Sequence, residues 1–286
     1  MKKLFPWLGL GLLLATTAQA TDPITIVAAE NFYGDVAQQI AGPEVTVSSI
    51  LSNPDQDPHE FEASPSVARG LSAASLVVYN GADYDPWMSD LIGALPRPER
   101  KTIVVADLIG KKTGDNPHIW YDPQTMPAFA KALAEQLSAL DPAHAADYQQ
   151  RLATFEKSLE PIHAKIASLK TRLAGVPVTA TEPVFGYTLE ALGTEVRNQA
   201  FQLAVMNGTE PSASDVAAFQ DDLKNHKVKV LIYNSQASDP LADRMLSLAK
   251  EAQVPVVGAT ETEPPGTKFQ DWVMGELDAI GKAVKE

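Results

Sequence analysis

Four side chains in this 286-residue sequence pair metal-binding chemistry with a setting that would aim it: His59, His118, Glu182 and Glu261. Each histidine follows an acidic or amide residue and a proline, Asp57-Pro58-His59 and Asn116-Pro117-His118, in a loop leaving a strand-like run. Glu182 and Glu261 each end such a run, VPVTATE and PVVGATE. In open α/β sheets ligands bind in the crevice beyond the carboxyl ends of the strands. Two imidazoles and two carboxylates leaving such ends are therefore candidates to share one divalent ion. Plainer alternatives stand beside this: loop histidines are often only solvated, and a glutamate ahead of a helix can serve as its cap. The prolines stiffen the loops, and Asp57 or Asp122 is the expected acceptor for the second imidazole proton.

Two neutral imidazoles and two carboxylates balance the charge of a divalent ion. With bidentate carboxylates the set reaches five or six contacts, which suits Mn²⁺ or Fe²⁺; with monodentate ones it is a tetrahedron, which suits Zn²⁺. Donor type leans to manganese or iron. Affinity does not separate them, because Zn²⁺ binds most nitrogen and oxygen sites more tightly than either. A metal-dependent hydrolase would need an open coordination position and a free base, for which Glu60 is the only neighbour to nominate. Walker-type and dinucleotide glycine loops are absent and the sequence has no cysteine, so no catalytic residue is assigned and no enzymatic activity is expected. His144, His163 and His226 read as solvated. Trp87, Trp120 and Trp272 would line the pocket of an organic ligand such as a siderophore or metal chelate, although core packing is the simpler use of each.

The element that must hold the two pairs apart in sequence and together in space is a long helix from about residue 141 to 173. Its apolar positions are Ala145, Tyr148, Leu152, Phe155, Leu159, Ile162, Ile166, Leu169 and Leu173, a three-four alternation over about four heptads. Asp141 reads as N-cap, Pro142 as the first helical residue, and Gly175 with Pro177 as the stop. Pro161 predicts a kink. A coiled-coil dimer seam would show the same stripe, but strand and helix sequence on both sides offers an intramolecular surface, and a monomer is expected.

Before this helix the pattern predicts strands over 24–30, 45–51, 75–80 and 102–108, with Asp122 and Pro123 capping a helix to about 140. After it, strands are predicted over 176–182, 195–201, 228–234 and 255–261, and a closing helix over 269–284. No sequence repeat is evident between the halves. The expected fold is α/β: two lobes, each a mostly parallel sheet flanked by helices, joined by one long spine helix. The expected divisions are a signal peptide at 1–20, an N-terminal metal-binding lobe at 21–140, the spine at 141–174 and a C-terminal metal-binding lobe at 175–286.

Lys2 and Lys3, the apolar run 8–14 and Ala18-Gln19-Ala20 form a cleavable targeting segment, and with no cysteine a lipid-anchoring motif is absent. A soluble protein of the periplasm is expected. The formal net charge of −13 argues against nucleic acid and anionic lipid as partners.

The segments 57–62 (DPHEFE) and 116–123 (NPHIWYDP) resemble the two histidine motifs of the zinc- and manganese-binding solute-binding proteins of ABC transporters. Thr181-Glu182-Pro183-Val184-Phe185-Gly186-Tyr187 is similar to the segment with that family's third ligand, and Thr260-Glu261-Thr262 falls where the family places an acidic fourth. The resemblance spans essentially the whole chain after the targeting segment. It implies a protein that captures a divalent transition metal (Mn²⁺, Zn²⁺ or Fe²⁺) between its lobes and delivers it to an inner-membrane ABC permease, with limited lobe movement. Two departures stand out: glutamate occupies both the third and fourth positions, and no histidine-rich loop lies between His59 and His118.

Overall fold

A computed structural model describes residues 23–53, 61, 63–237 and 239–284. The targeting segment and the loop with Asp57, His59 and Glu60 therefore lie outside the described residues.

The first half holds strands β1 Thr25–Glu30, β2 Thr46–Leu51, β3 Leu76–Tyr79 and β4 Lys101–Val104. Its helices are α1 Asn31–Ala41, α2 Pro65–Ala73, α3 Pro86–Ala94, the single turn α4 Val105–Leu108, and α5 Thr125–Leu140. The spine, α6, is Ala145–Leu173. Beyond it come β5 Pro177–Ala180, α7 Gly186–Ala191, β6 Glu195–Arg197, α8 Gln199–Met206, α9 Ala213–Lys224, β7 Leu231–Asn234, α10 Pro240–Glu251, β8 Val256–Ala259 and α11 Phe269–Ala283. Among the described residues the strands form two four-stranded, wholly parallel sheets, ordered β2-β1-β3-β4 and β6-β5-β7-β8. The two orders are the same, so the halves repeat in topology.

Strand alternation explains how each sheet is covered on both faces. In β1, Ile26 and Ala28 join the central apolar cluster under α1 and α5, while Val27 and Ala29 join a separate cluster with Leu71, Val77 and Met88 under α2 and α3. In β7, Ile232 faces the central cluster and Leu231 packs with Phe201, Phe219 and Met245 under α8, α9 and α10. The central cluster is continuous from β1 to α11, so both sheets share one core.

The spine binds that core together. Tyr148, Leu152, Phe155, Leu159, Ile162, Leu169 and Leu173 are buried against α1 and α5 of the first half and α11 of the second, which places the stripe inside one molecule. Arg151 Nη1 donates to the Ala41 carbonyl and Arg172 Nη2 to those of Gly281 and Val284, tying the helix to both halves. At ~1.5 Å per residue, its 29 residues span about 43 Å. The helix runs unbroken through Pro161, which faces solvent, where water can serve the carbonyl that the missing N–H leaves unpaired.

Four local expectations are corrected. Asp141 stands ahead of Pro142 as expected, but the first turn, Pro142–His144, is 3₁₀ and the Asp141 carboxylate receives His144 Nδ1 at 2.6 Å and Tyr148 Oη at 3.0 Å in place of a backbone N–H, with the α-helix proper starting at Ala145. That bond also gives His144 a partner other than solvent. Asp122 caps the backbone N–H of Gln124 ahead of α5, which starts at Thr125. The predicted strand 102–108 ends at Val104, because the Ala106 N–H turns to the Asn80 carbonyl and the next residues coil into α4. The predicted strand 195–201 ends at Arg197: Asn198 adopts φ 59°, donates to Asp222 and Thr179, and reverses the chain into α8.

Candidate metal centre

His118 lies in the loop after β4 and α4, and its side chain is fully buried. Asn116 fixes its orientation. The Asn116 Oδ1 accepts from His118 Nδ1 at 2.7 Å and from the His118 backbone N–H at 3.1 Å, while Asn116 Nδ2 donates to the Pro183 carbonyl at 2.7 Å. With the amide so committed, Nδ1 carries a proton, so the tautomer able to bind a metal presents its lone pair on Nε2. Asn116, not Asp122, is thus the acceptor for the second imidazole proton, because the amide is two residues away in the same turn. Among the described residues no hydrogen-bond donor or acceptor meets Nε2. Trp120 walls the ring at 5.3 Å between centroids and Tyr84 at 6.0 Å, both edge-on. Asn80, just past β3, donates to the Pro117 carbonyl at 2.9 Å and anchors the loop.

Glu182 and Glu261 follow β5 and β8, the two neighbours of β7. The residue ending β7 is Asn234, and its Nδ2 donates to Glu182 Oε2 at 3.1 Å and to Glu261 Oε1 at 2.6 Å. The other Glu261 oxygen, Oε2, accepts from Tyr84 Oη at 2.9 Å. Burial, and after it the Glu261 charge, pushes the Tyr84 hydroxyl well above its ordinary pKa, so it stays a donor. The Glu261 loop is gripped from both sheets. Gln236 Oε1 takes the N–H groups of Glu261 and Thr262, and Tyr121 Oη donates to the Thr260 carbonyl. The Asn31 amide pairs with both the N–H and the C=O of Glu263. Neither carboxylate caps a helix: Phe185 precedes α7 and Lys268 precedes α11.

His118 Nε2 and Glu261 Oε2 stand 3.7 Å apart, each on a side chain with no exposed surface. Donors about 2.0–2.2 Å from a shared ion at near-tetrahedral angles are about 3.3–3.6 Å apart, so the observed separation lies within a few tenths of an ångström of a bridged pair. Among the described residues no three histidine, aspartate or glutamate side chains already form a closed metal cage. The structure brings together His118 and Glu261 directly and Glu182 through Asn234; His59 lies outside the described residues. Trp120 and Trp272 pack in the core, and Trp87 lies against Phe61 at 4.3 Å.

Sequence reasoning missed Asn80, Asn234 and the pair Glu30 and Asp85, and a local repeat could have found three of them. Tyr79-Asn80 with Asp85-Pro86 matches Tyr233-Asn234 with Asp239-Pro240, the same residues at the same spacing after β3 and β7, which occupy the same place in their sheets. Asp239 caps α10 through the N–H groups of Leu241 and Ala242, whereas Asp85 takes the N–H groups of Asn80 and Gly81. Beside Asp85 lies Glu30, fully buried, whose pKa is pushed well up by burial and then by the Asp85 charge. Burial raises Asp85 to about 6, against the opposing pull of its backbone donors.

The sequence model of the family described as zinc-uptake complex component A, periplasmic, matches residues 26–283. The metal ABC transporter substrate-binding lipoprotein SloC of Streptococcus mutans is 25% identical over 280 residues, covering 91% of this chain and 88% of its own length. The manganese ABC transporter substrate-binding lipoprotein PsaA of Streptococcus mitis is 25% identical over 291 residues, covering 93% and 91%. Among solved structures, the periplasmic zinc-binding protein TroA of Treponema pallidum superposes with a TM-score of 0.77 at 21% identity, over 93% of this chain and all of its own, which establishes the fold. With a family match that spans both sheets and the spine between them, the chain belongs to the periplasmic zinc-uptake component A family.

Proposed function

We propose that this protein is the substrate-binding component of a metal ABC transporter, capturing Zn²⁺ or Mn²⁺ at His59, His118, Glu182 and Glu261 and handing it to an inner-membrane permease. Fe²⁺ is the chemically adjacent alternative. The observation that supports the reading is the buried His118 Nε2, which has no hydrogen-bond partner among the described residues and faces the buried Glu261 carboxylate at 3.7 Å. A divalent ion would give His118 Nε2 a partner and would add a positive charge beside the carboxylate that Tyr84 and Asn234 hold. The relatives are substrate-binding proteins, not enzymes, which argues against hydrolysis. Against a siderophore or metal chelate, His118 and Glu261 are 0% exposed and Glu182 is 5% exposed, a setting sized for an ion.

The cargo would sit between the halves, because His118 comes from the first sheet's loops and both glutamates from the second's. A stiff helix packed on both halves is a poor hinge. Release would therefore come from a shift of the loops bearing Glu182 and Glu261 when the permease docks. The working location would be the periplasm, reached through the targeting segment, and the working form a monomer. The relatives are lipoproteins, whereas this sequence contains no cysteine. Calorimetric titration of metal-stripped protein tests the assignment: Glu182→Ala and Glu261→Ala should each weaken binding of both metals at least tenfold, and parent-like affinity in both would remove those residues from the site.

A further inference from the structure

Resting on that reading of the site, we infer that Asn234 governs how many oxygens the two glutamates can offer to the ion, and so tilts the site toward Zn²⁺ over Mn²⁺. The argument begins with strand order. β7 lies between β5 and β8, so the residue ending it stands between the two carboxylates that follow its neighbours. That residue is an amide with two N–H bonds, and Nδ2 reaches Glu182 Oε2 at 3.1 Å and Glu261 Oε1 at 2.6 Å.

The amide cannot turn over to present its oxygen. Asn234 Oδ1 accepts from the N–H groups of Gln236 and Ala237 at 3.0 and 3.3 Å, an Asx-type turn that locks the side chain, and Asn234 is 7% exposed. Two buried carboxyl groups are thereby bridged by one neutral amide donor.

The consequence falls on Glu261. One oxygen, Oε1, is held by Asn234; the other, Oε2, accepts from Tyr84 Oη at 2.9 Å and is the one that faces His118 Nε2 at 3.7 Å. An ion placed between imidazole and carboxylate meets a single Glu261 oxygen unless the carboxylate rotates and gives up the amide. Asn234 Nδ2 engages one Glu182 oxygen as well. Monodentate carboxylates with imidazoles make the four-coordinate set that Zn²⁺ favours, while Mn²⁺ gains from a chelating carboxylate and a higher coordination number. Asn234 touches the ligands and not the ion, so it is a positioning residue.

The test compares Asn234→Ala, which removes both donors, with Asn234→Ser, whose hydroxyl keeps a turn acceptor but can donate to only one carboxylate. Zn²⁺ and Mn²⁺ dissociation constants are measured by chelator competition, and the neighbours of bound Zn²⁺ are counted by X-ray absorption. Loss of a residue that orients metal ligands costs ~10- to 100-fold in affinity. That loss should fall on Zn²⁺, lowering its advantage over Mn²⁺ at least tenfold in the alanine variant and by less in the serine variant, with an added oxygen neighbour around Zn²⁺. An unchanged Zn²⁺-to-Mn²⁺ ratio and neighbour count in both variants overturn the inference, as does equal weakening of both metals with no change in coordination. If the alanine variant does not fold, the serine variant decides alone. A parent protein that binds neither metal, or binds both regardless of His118→Ala, would instead sink the reading of the site itself.

Discussion

His118 and Glu261 meet at 3.7 Å although they belong to loops of different sheets, and neither side chain reaches solvent. A buried imidazole lone pair facing a buried carboxylate is unfavourable unless something positive enters. The surroundings prevent both groups from relaxing away: Asn116 holds the ring, and Asn234 and Tyr84 hold the carboxylate. Hydrogen bonds from behind thus hold both groups in place, an arrangement that would suit a cation between them.

Gly186, at the start of α7, tests that support without touching a ligand. A Cβ there would stand 2.8 Å from Asn116 Nδ2, the atom that ties Asn116 to the Pro183 carbonyl. Gly186→Ala should displace Asn116, free the His118 ring and weaken metal binding ~10-fold with the helical circular dichroism unchanged. Gly70→Ala, which meets nothing within 4 Å, is the control and should bind as the parent does. Parent-like binding by Gly186→Ala would show that the Asn116 bond does not matter.

Stability of the metal-free protein should fall as pH rises from 5 to 8. Burial raises Glu30 well above the carboxylate range, Asp85 to about 6 and Glu276 to about 7. The sign follows directly. A carboxyl whose folded pKa lies above its unfolded value stabilises the fold fully below the unfolded value, near 4, and that contribution is lost as pH climbs through the folded value. At ~1.4 kcal/mol per pH unit, Asp85 contributes on the order of 3 kcal/mol in all, of which roughly half is lost above pH 5. The carboxylates pulled the other way, Glu99, Asp221 and Asp278, are paired with arginine or lysine and act below pH 4. Thermal melts should therefore show the highest midpoint near pH 5, and Glu30→Gln should flatten the profile and raise the midpoint at pH 8. A midpoint that rises from pH 5 to 8 would contradict this account.

Pro161 removes one hydrogen bond of the spine on its solvent face. Pro161→Ala restores the donor and should stabilise by about 1–2 kcal/mol, less than the full interior penalty of proline because the unfolded chain also gains freedom. Differential scanning calorimetry should show a midpoint raised by about 2–4 °C per kcal/mol, with metal affinity unchanged. A lower midpoint would contradict this account of Pro161.

The spine was legible because its stripe repeats for eight turns: the residues from Tyr148 to Leu173 that keep the three-four spacing are those the fold buries, with only Ala145 and Ile166 half-covered. His118, Glu182 and Glu261 were legible because each follows the carboxyl end of a strand-like run, where sheet topology alone places a side chain at the crevice. What failed was decided by side-chain bonds that pattern cannot carry. Asn198 turns a strand into a helix by taking a left-handed conformation and bonding Asp222, and Asp141 takes His144 and Tyr148 in place of capping the spine. Asn234 escaped because an asparagine ending a strand reads as a turn former. Only its match to Asn80, with the same Asp-Pro spacing behind it, marks it as part of a repeated design.

The central claim is that one ion is held jointly by residues from both halves. The most direct measurement is a crystal structure of the metal-loaded protein with anomalous difference maps collected at the zinc and manganese edges. The account predicts a single peak within about 2.0–2.4 Å of His118 Nε2 and of a carboxylate oxygen from each of Glu182 and Glu261, with His59 completing the set. A peak elsewhere, or one that touches residues of only one half, would contradict it.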